Sequence, residues 1–162
     1  SRSRNPHPED IEGSAFLEWT WTIIPLIIVM GMFFSGWSGF KKLRSAPPDA
    51  MVVRVNAIQW AWTFEYENGI VSDVLKVPVN KPVKLILTSQ DVIHSFYVPA
   101  FRIKEDALPN RETHLWFQAT ETGTYTVFCA EYCGLNHAFM QSRVEVLPEE
   151  EFAAWYQQEG GG

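Results

Sequence analysis

From Trp19 to Phe40 the chain runs for 22 residues, WTWTIIPLIIVMGMFFSGWSGF, without a charged side chain. As a helix this stretch is about 33 Å long, enough to cross the hydrocarbon core of a bilayer. A buried helix of that length in a soluble protein carries a polar stripe, and none is visible here. Trp19, Trp21 and Trp37 stand near the ends, where interfacial aromatics sit. The run is too long for a cleaved secretory signal, and acidic residues precede it. Pro25, about one turn inside, is tolerated in a membrane span. The pattern predicts one transmembrane helix with its flanks over 15–44, preceded by a polar loop over 1–14.

Beyond the helix the period changes. Ser45-Ala-Pro-Pro-Asp49 marks a stiff linker over 45–50. Met51–Val55, Val83–Thr88, His114–Phe117, Thr124–Phe128 and Arg143–Leu147 are short runs rich in Val, Leu, Ile, Tyr and Phe. Asn68-Gly69, Asn80-Lys-Pro82, Pro109-Asn110 and Glu121-Thr-Gly123 separate them as turns. Arg143-Val-Glu-Val-Leu147 alternates polar with apolar, as a half-buried strand does. About a hundred residues of short strands predict a mainly β domain over 51–148, a β-sandwich or Greek-key barrel. Residues 149–162 read as a short helix to Gln158 and a flexible Gly160–Gly162 end. No internal repeat is visible.

Charge adds little to topology. Lys41, Lys42 and Arg44 follow the helix, whereas Arg2 and Arg4 precede it, so the positive-inside rule points both ways. Glu9, Asp10, Glu12 and Glu18 count little in that rule. The net charge of −6 argues against nucleic acid as a partner and suits a basic protein.

The candidate chemistry is concentrated in Cys129-Ala-Glu-Tyr-Cys133-Gly-Leu-Asn-His137-Ala-Phe-Met140, which holds both cysteines of the chain. Upstream, Asp91-Val-Ile-His94-Ser95 adds a second imidazole. A Cys129–Cys133 disulfide closes only a small loop and leaves His137 and Met140 without a role. Zinc takes two Cys and two His but has no use for a thioether. Copper uses all five side chains, since thiolate, imidazole and thioether are its soft ligands. A mononuclear blue-copper site needs one Cys, two His and an axial Met, so one thiolate is surplus. Two thiolates bridging two coppers, each capped by one imidazole, use the whole set, with Met140 and a backbone carbonyl as weak outer ligands.

Cys-x-Glu-x-Cys-x-x-x-His-x-x-Met with an upstream Asp-Val-x-His-Ser resembles the CuA centre of cytochrome c oxidase subunit II. The likeness covers nearly the whole chain. Trp21-Thr-Ile-Ile-Pro25 is similar to the family's second transmembrane helix, and Gln59-Trp60-Ala-Trp62-Thr-Phe-Glu65-Tyr66 to its aromatic motif. Val98-Pro99 and Lys104-Glu-Asp106-Ala-Leu-Pro109-Asn-Arg111 match as well.

The resemblance implies a cupredoxin-like fold and a subunit that takes electrons from cytochrome c and passes them to haem in subunit I, where oxygen is reduced to water with proton translocation. It implies His94, Cys129, Glu131 (through its carbonyl), Cys133, His137 and Met140 as ligands of two coppers, and a magnesium ion reached by the Glu131 side chain. Trp60 would receive the electrons, with Trp62 and Tyr66 packing behind it. Glu65 and Asp91 would lie on the cytochrome-docking face, and Glu18 at the mouth of a proton path. Asp106 and Arg111 would face subunit I, whereas His7 and His114 match no ligand position. The implied setting is the plasma (inner) membrane, with the copper domain on the outer, periplasmic face beside other oxidase subunits.

The family commonly has two transmembrane helices where one is read here, Asn110 stands where many members have Gly, and no Cys-x-x-Cys-His haem motif follows the copper domain. Rival expectations are a subunit of a nitric-oxide- or nitrous-oxide-reducing enzyme, a copper-free quinol-oxidase subunit, and a soluble copper chaperone.

Overall fold

The computed structural model describes Arg4 and residues 13–159. Most of the polar 1–14 segment, with Arg2, His7, Glu9, Asp10 and Glu12, and the Gly160–Gly162 end lie outside the described residues. The chain divides into two compact units, Ser1–Lys41 and Lys42–Gly162.

The first unit contains most of helix α1 (Ala15–Arg44), 30 residues with no buried side chain. It is apolar all round, and such a helix belongs in a core or in lipid. α1 is long and apolar enough to cross a membrane. Pro25 sits inside it, and Glu18 lies in its first turn, where a carboxylate complements the positive end of the helix dipole.

Among the described residues, the second unit is built from ten strands in two five-stranded sheets. The first sheet has the order β3 (Val71–Ser72), β2 (Ala61–Tyr66), β1 (Met51–Ile58), β5 (Pro82–Ser89), β8 (Thr113–Gln118). The second has β4 (Leu75–Pro78), β10 (Gln141–Leu147), β9 (Gly123–Cys129), β6 (His94–Val98), β7 (Ile103–Ala107). β1 pairs with β5, and β4 with β10, in parallel; the remaining pairs are antiparallel. The mainly β, cupredoxin-like expectation is met.

Alternation explains the core. Every second residue of β5, Val83, Leu85, Leu87 and Ser89, is buried. Val53, Val55 and Ala57 of β1 and Trp62, Phe64 and Tyr66 of β2 face the same interior, opposite Phe96, Val98, Val127, Val144 and Val146. Tyr66 joins the two sheets: its hydroxyl donates to the Lys76 carbonyl (2.9 Å) and accepts the Lys76 N–H (2.7 Å). Helix α2 (Glu149–Glu159) packs Trp155 and Tyr156 on the Tyr66 ring. Its first turn carries Glu149, Glu150 and Glu151, favourable charges for a helix N-terminus.

Five strands escaped the pattern of apolar runs. β2 follows β1 across Gln59-Trp60, a connection without Gly, Asn or Pro. β7 is Ile-Lys-Glu-Asp-Ala, an edge strand whose charges protect an unpaired rim. β6 buries residues on both faces, so it does not alternate.

Candidate metal centre

Three segments of the second unit converge. Strand β9 ends on Cys129, and the chain returns through Ala130–Met140 into β10. Phe128 pairs with Gln141, and the Cys129 N–H donates to the Met140 carbonyl (3.2 Å), so the hairpin closes Cys129 against Met140. Phe96 of β6 pairs with Cys129, and His94, two residues earlier, projects from the same face. The Ala130 N–H, donating to the Ser95 carbonyl (2.9 Å), holds that junction. Within the loop, the 3-10 turn His137–Phe139 folds His137 back towards Cys133.

The donors form a chain. His94 Nδ1 lies 3.8 Å from Cys129 Sγ, Cys129 Sγ 3.8 Å from Cys133 Sγ, and Cys133 Sγ 3.5 Å from His137 Nδ1. Met140 Sδ is 3.7 Å from Cys133 Sγ, and the Glu131 carbonyl oxygen is 3.3 Å from Cys129 Sγ. His94, Cys129 and Cys133 each offer an atom within 4.8 Å of the others. Both cysteines are free thiols. His94, Cys129, Cys133 and Met140 are buried, while His137 and Glu131 are half-buried.

These residues fit a metal. Two donors each about 2.0–2.3 Å from a tetrahedral ion stand about 3.5–3.8 Å apart, the spacing along this chain. Burial, then the hydrogen bond and charge of neighbouring Cys129, push the Cys133 thiol up to about 11. Binding of a metal by the thiolate therefore releases a proton that burial favours keeping.

Asp91 prepares His94. Its Oδ1 is 2.8 Å from His94 Nε2, which fixes the proton on Nε2 and leaves the Nδ1 lone pair facing Cys129. The Asp91 carboxylate also accepts from the Val92 N–H (2.7 Å) and the Gln59 N–H (2.8 Å). Partial burial pushes the Asp91 carboxyl up, but the hydrogen bonds from His94, Gln59 and Val92 outweigh it and hold the pKa down to about 2. Asp91 is thus engaged beneath the ligand as well as acidic.

Trp60 sits half-buried at the β1–β2 turn, and its indole N–H donates to the Cys133 carbonyl over 3.3 Å. The Gln59 side-chain amide donates to the same oxygen over 2.7 Å. Trp62 is buried edge-on to His94 and Phe96, with ring centroids 6.1 and 5.5 Å away. Glu65 faces outward on β2, opposite Arg54 of β1. Glu18 stands in α1. Asp106 accepts the Ser95 hydroxyl (2.7 Å), and Arg111 is exposed on a turn. Tyr132, Leu135 and Phe139 leave the loop almost fully exposed. Sequence reasoning gave no role to Gln59 beside the loop or to Gly134 within it. The i−3 spacing of Asp91 from His94 was a signal for a ligand support, whereas Gln59 carried none.

A sequence profile described as "Cytochrome C oxidase subunit II, periplasmic domain" matches residues 70–147. Cytochrome c oxidase subunit 2 of Cereibacter sphaeroides is 31% identical over 98% of this chain and 66% of its own length. That of Thermostichus vulcanus is 50% identical over 76% of this chain and 37% of its own. The chain thus spans only about one to two thirds of the length of these relatives. The crystal structure of the periplasmic domain of subunit II of cytochrome oxidase from Bradyrhizobium japonicum superposes with a TM-score of 0.66 at 34% identity, covering 71% of this chain and 96% of that one. With a solved domain matched almost end to end on the frame that carries the thiol–imidazole loop, the chain belongs to the cytochrome c oxidase subunit II family.

Proposed function

We propose that this chain is the electron-input subunit of a haem–copper cytochrome c oxidase. The observation that carries the reading is the donor order His94–Cys129–Cys133–His137, two thiols set between two imidazoles at 3.5–3.8 Å steps. Cys129 and Cys133 would bridge two coppers, His94 and His137 would cap them, and Met140 and the Glu131 carbonyl would be weak outer ligands. When bound, this copper pair supplies a one-electron carrier between cytochrome c and a haem of subunit I, where oxygen is reduced.

The protein's own part is to hold and shield that carrier. Burial of both thiols and of His94 excludes water, and the Asp91 carboxylate keeps the His94 lone pair turned inward. With its donors placed on strands and a hydrogen-bonded loop, the frame would hold the ligands nearly fixed between oxidation states and so keep reorganisation small. Tyr132, Leu135 and Phe139 each present a large exposed side chain on the loop, suited to a protein partner. Trp60, in contact with the Cys133 carbonyl, is the proposed point where electrons arrive from cytochrome c. Glu65 and the partly exposed Asp91 are proposed to attract its basic face, which raises the association rate and makes it sensitive to salt.

The Glu131 side chain is proposed to reach a magnesium ion at the border with subunit I, and Glu18 to stand at the mouth of a proton path. α1 would anchor the chain in the plasma (inner) membrane beside the other oxidase subunits, with the copper domain on the periplasmic side. The naming of the Bradyrhizobium relative as a periplasmic domain supports that side.

The test is electron paramagnetic resonance of the oxidised chain with copper counted per chain. The expected result is two coppers sharing one unpaired electron, with the pattern lost in Cys133→Ser. One copper with a single-nucleus pattern, or an unchanged spectrum in Cys133→Ser, refutes the bridged pair.

A further inference from the structure

Two donors from the β1–β2 turn converge on one atom of the metal loop, the Cys133 carbonyl oxygen. Gln59 Nε2–H donates to it over 2.7 Å and Trp60 Nε1–H over 3.3 Å. A carbonyl oxygen has two lone pairs, and these two donors occupy both. The indole contact is the longer one, beyond the common range for N–H···O, so it has little strength to orient the ring alone. The Gln59 bond is short and sets where the carbonyl stands. Gln59 also reaches the other half of the site: its backbone N–H donates to Asp91 Oδ2 (2.8 Å), and Asp91 Oδ1 holds His94. One residue thus ties the Trp60 turn to a thiol-bearing and an imidazole-bearing segment. Gln59 is exposed, so these bonds rather than burial keep its side chain against the loop.

Gly134 makes the approach possible. A Cβ there would stand 3.0 Å from Gln59 Nε2, 3.4 Å from Trp60 Cζ2 and 3.5 Å from Trp60 Nε1. Its backbone lies at φ +116, which disfavours any L side chain. A side chain at 134 would push the amide and the indole off the carbonyl.

We propose that Gln59, seated over Gly134, is a positioning residue that holds the Trp60 indole against the main chain of Cys133. An electron arriving at the indole then has a hydrogen-bonded route of one N–H···O=C contact into a metal-ligating residue. One electron leaves reduced cytochrome c and is gained by the metal site; no bond is made or broken at Trp60, and no proton leaves it. This inference rests on the electron-input reading above.

Gln59→Met keeps the side-chain length and removes the donor. In the full metal-free chain in detergent, carrying nitrogen-15-labelled tryptophan, solvent exchange of the Trp60 indole N–H should accelerate about tenfold, since its acceptor, the Cys133 carbonyl, is no longer held in place. In the assembled oxidase, electron transfer at saturating reduced cytochrome c should slow about tenfold, within the penalty that misplacement of up to an ångström brings. KM, copper content and the copper spectrum should stay unchanged. Gly134→Ala should reproduce the faster indole exchange by a steric route, and this readout does not depend on copper.

An unchanged indole exchange rate in Gln59→Met overturns the proposal. So does a raised KM with an unchanged saturating rate, which would make Gln59 a docking contact only. Trp60→Phe separates the two layers of the argument. If Trp60→Phe leaves electron transfer intact, both the Trp60 reading and this proposal fall. If Trp60→Phe slows transfer and Gln59→Met does not, only the positioning role falls.

Discussion

Replacing Asp91 by Asn tests whether a carboxylate beneath the metal loop organises the site. In the native chain Oδ1 accepts from His94 Nε2 and the Val92 N–H, and Oδ2 accepts from the Gln59 N–H, all within 2.7–2.8 Å. An asparagine satisfies only part of this. With its oxygen towards His94 and Val92, its NH2 faces the Gln59 N–H, and two donors oppose each other. The flipped amide is worse, because the NH2 then meets two donors. The smaller loss is one charge-assisted hydrogen bond, about 1.5–3 kcal/mol. Asp91 is partly exposed and water offsets some of that, so about 1.5–2 kcal/mol of metal-free stability should go. At a urea slope of about 2 kcal/mol per molar, the midpoint falls by about 0.75–1 M. The freed His94 ring loses its fixed tautomer, and copper affinity should drop about 10–100-fold.

Tryptophan-fluorescence urea melts of the metal-free chain measure the first effect, and competition with a chelator of known copper affinity the second. The acid side supplies a further check. The folded Asp91 pKa is depressed from 3.8 to about 2, so its contribution is present above pH 3.8 and lost as pH falls towards 2. Wild type should lose stability across that window more steeply than Asp91→Asn. Equal urea midpoints together with equal copper affinity would refute the reasoning and leave Asp91 as an ordinary surface acid.

The Tyr66 hydroxyl is held well above the usual phenol range, chiefly by burial. Its stabilising effect is complete below the unfolded value of about 10 and is lost as pH rises beyond it. Urea melts from pH 7 to 11 should therefore show an alkaline decline that is shallower in Tyr66→Phe, whose lost hydrogen bonds cost about 1–3 kcal/mol at pH 7; an equal slope would show that another group governs it. Phe96 is fully buried between Trp62 and Phe64 and pairs with Cys129, so Phe96→Ala should cost about 3–5 kcal/mol in the same melts and weaken copper retention. A loss below about 1 kcal/mol would mean that the neighbouring rings close the cavity.

Much was legible without the fold because it is local. An uncharged run of 22 residues specifies a membrane-length helix by transfer energetics alone. Alternation along β5 and β10 follows from burying one face of a pleated strand, and the soft donors between Cys129 and Met140 share a single loop. Local information failed where a strand buries both faces, as β6 does, or carries edge charges, as β7 does. The parallel pairing of β1 with β5 had no sequence signal, because parallel partners need a crossover and here it is made of β2, β3 and β4, three strands that no apolar run marked.

The site divides in the same way. Which residues can ligate a soft metal is a property of side-chain chemistry, and the sequence by itself determined it. Whether Asp91 meets the Gln59 main chain, whether Trp60 touches the metal loop, and whether Gly134 leaves room for Gln59 depend on backbones 32 to 75 residues apart in the chain meeting at close range. Only the closing of the two sheets over Phe64, Leu85 and Phe96 brings those backbones together, and hydrogen bonds lose their strength within a few tenths of an ångström, so tertiary packing decided the supports of the metal site.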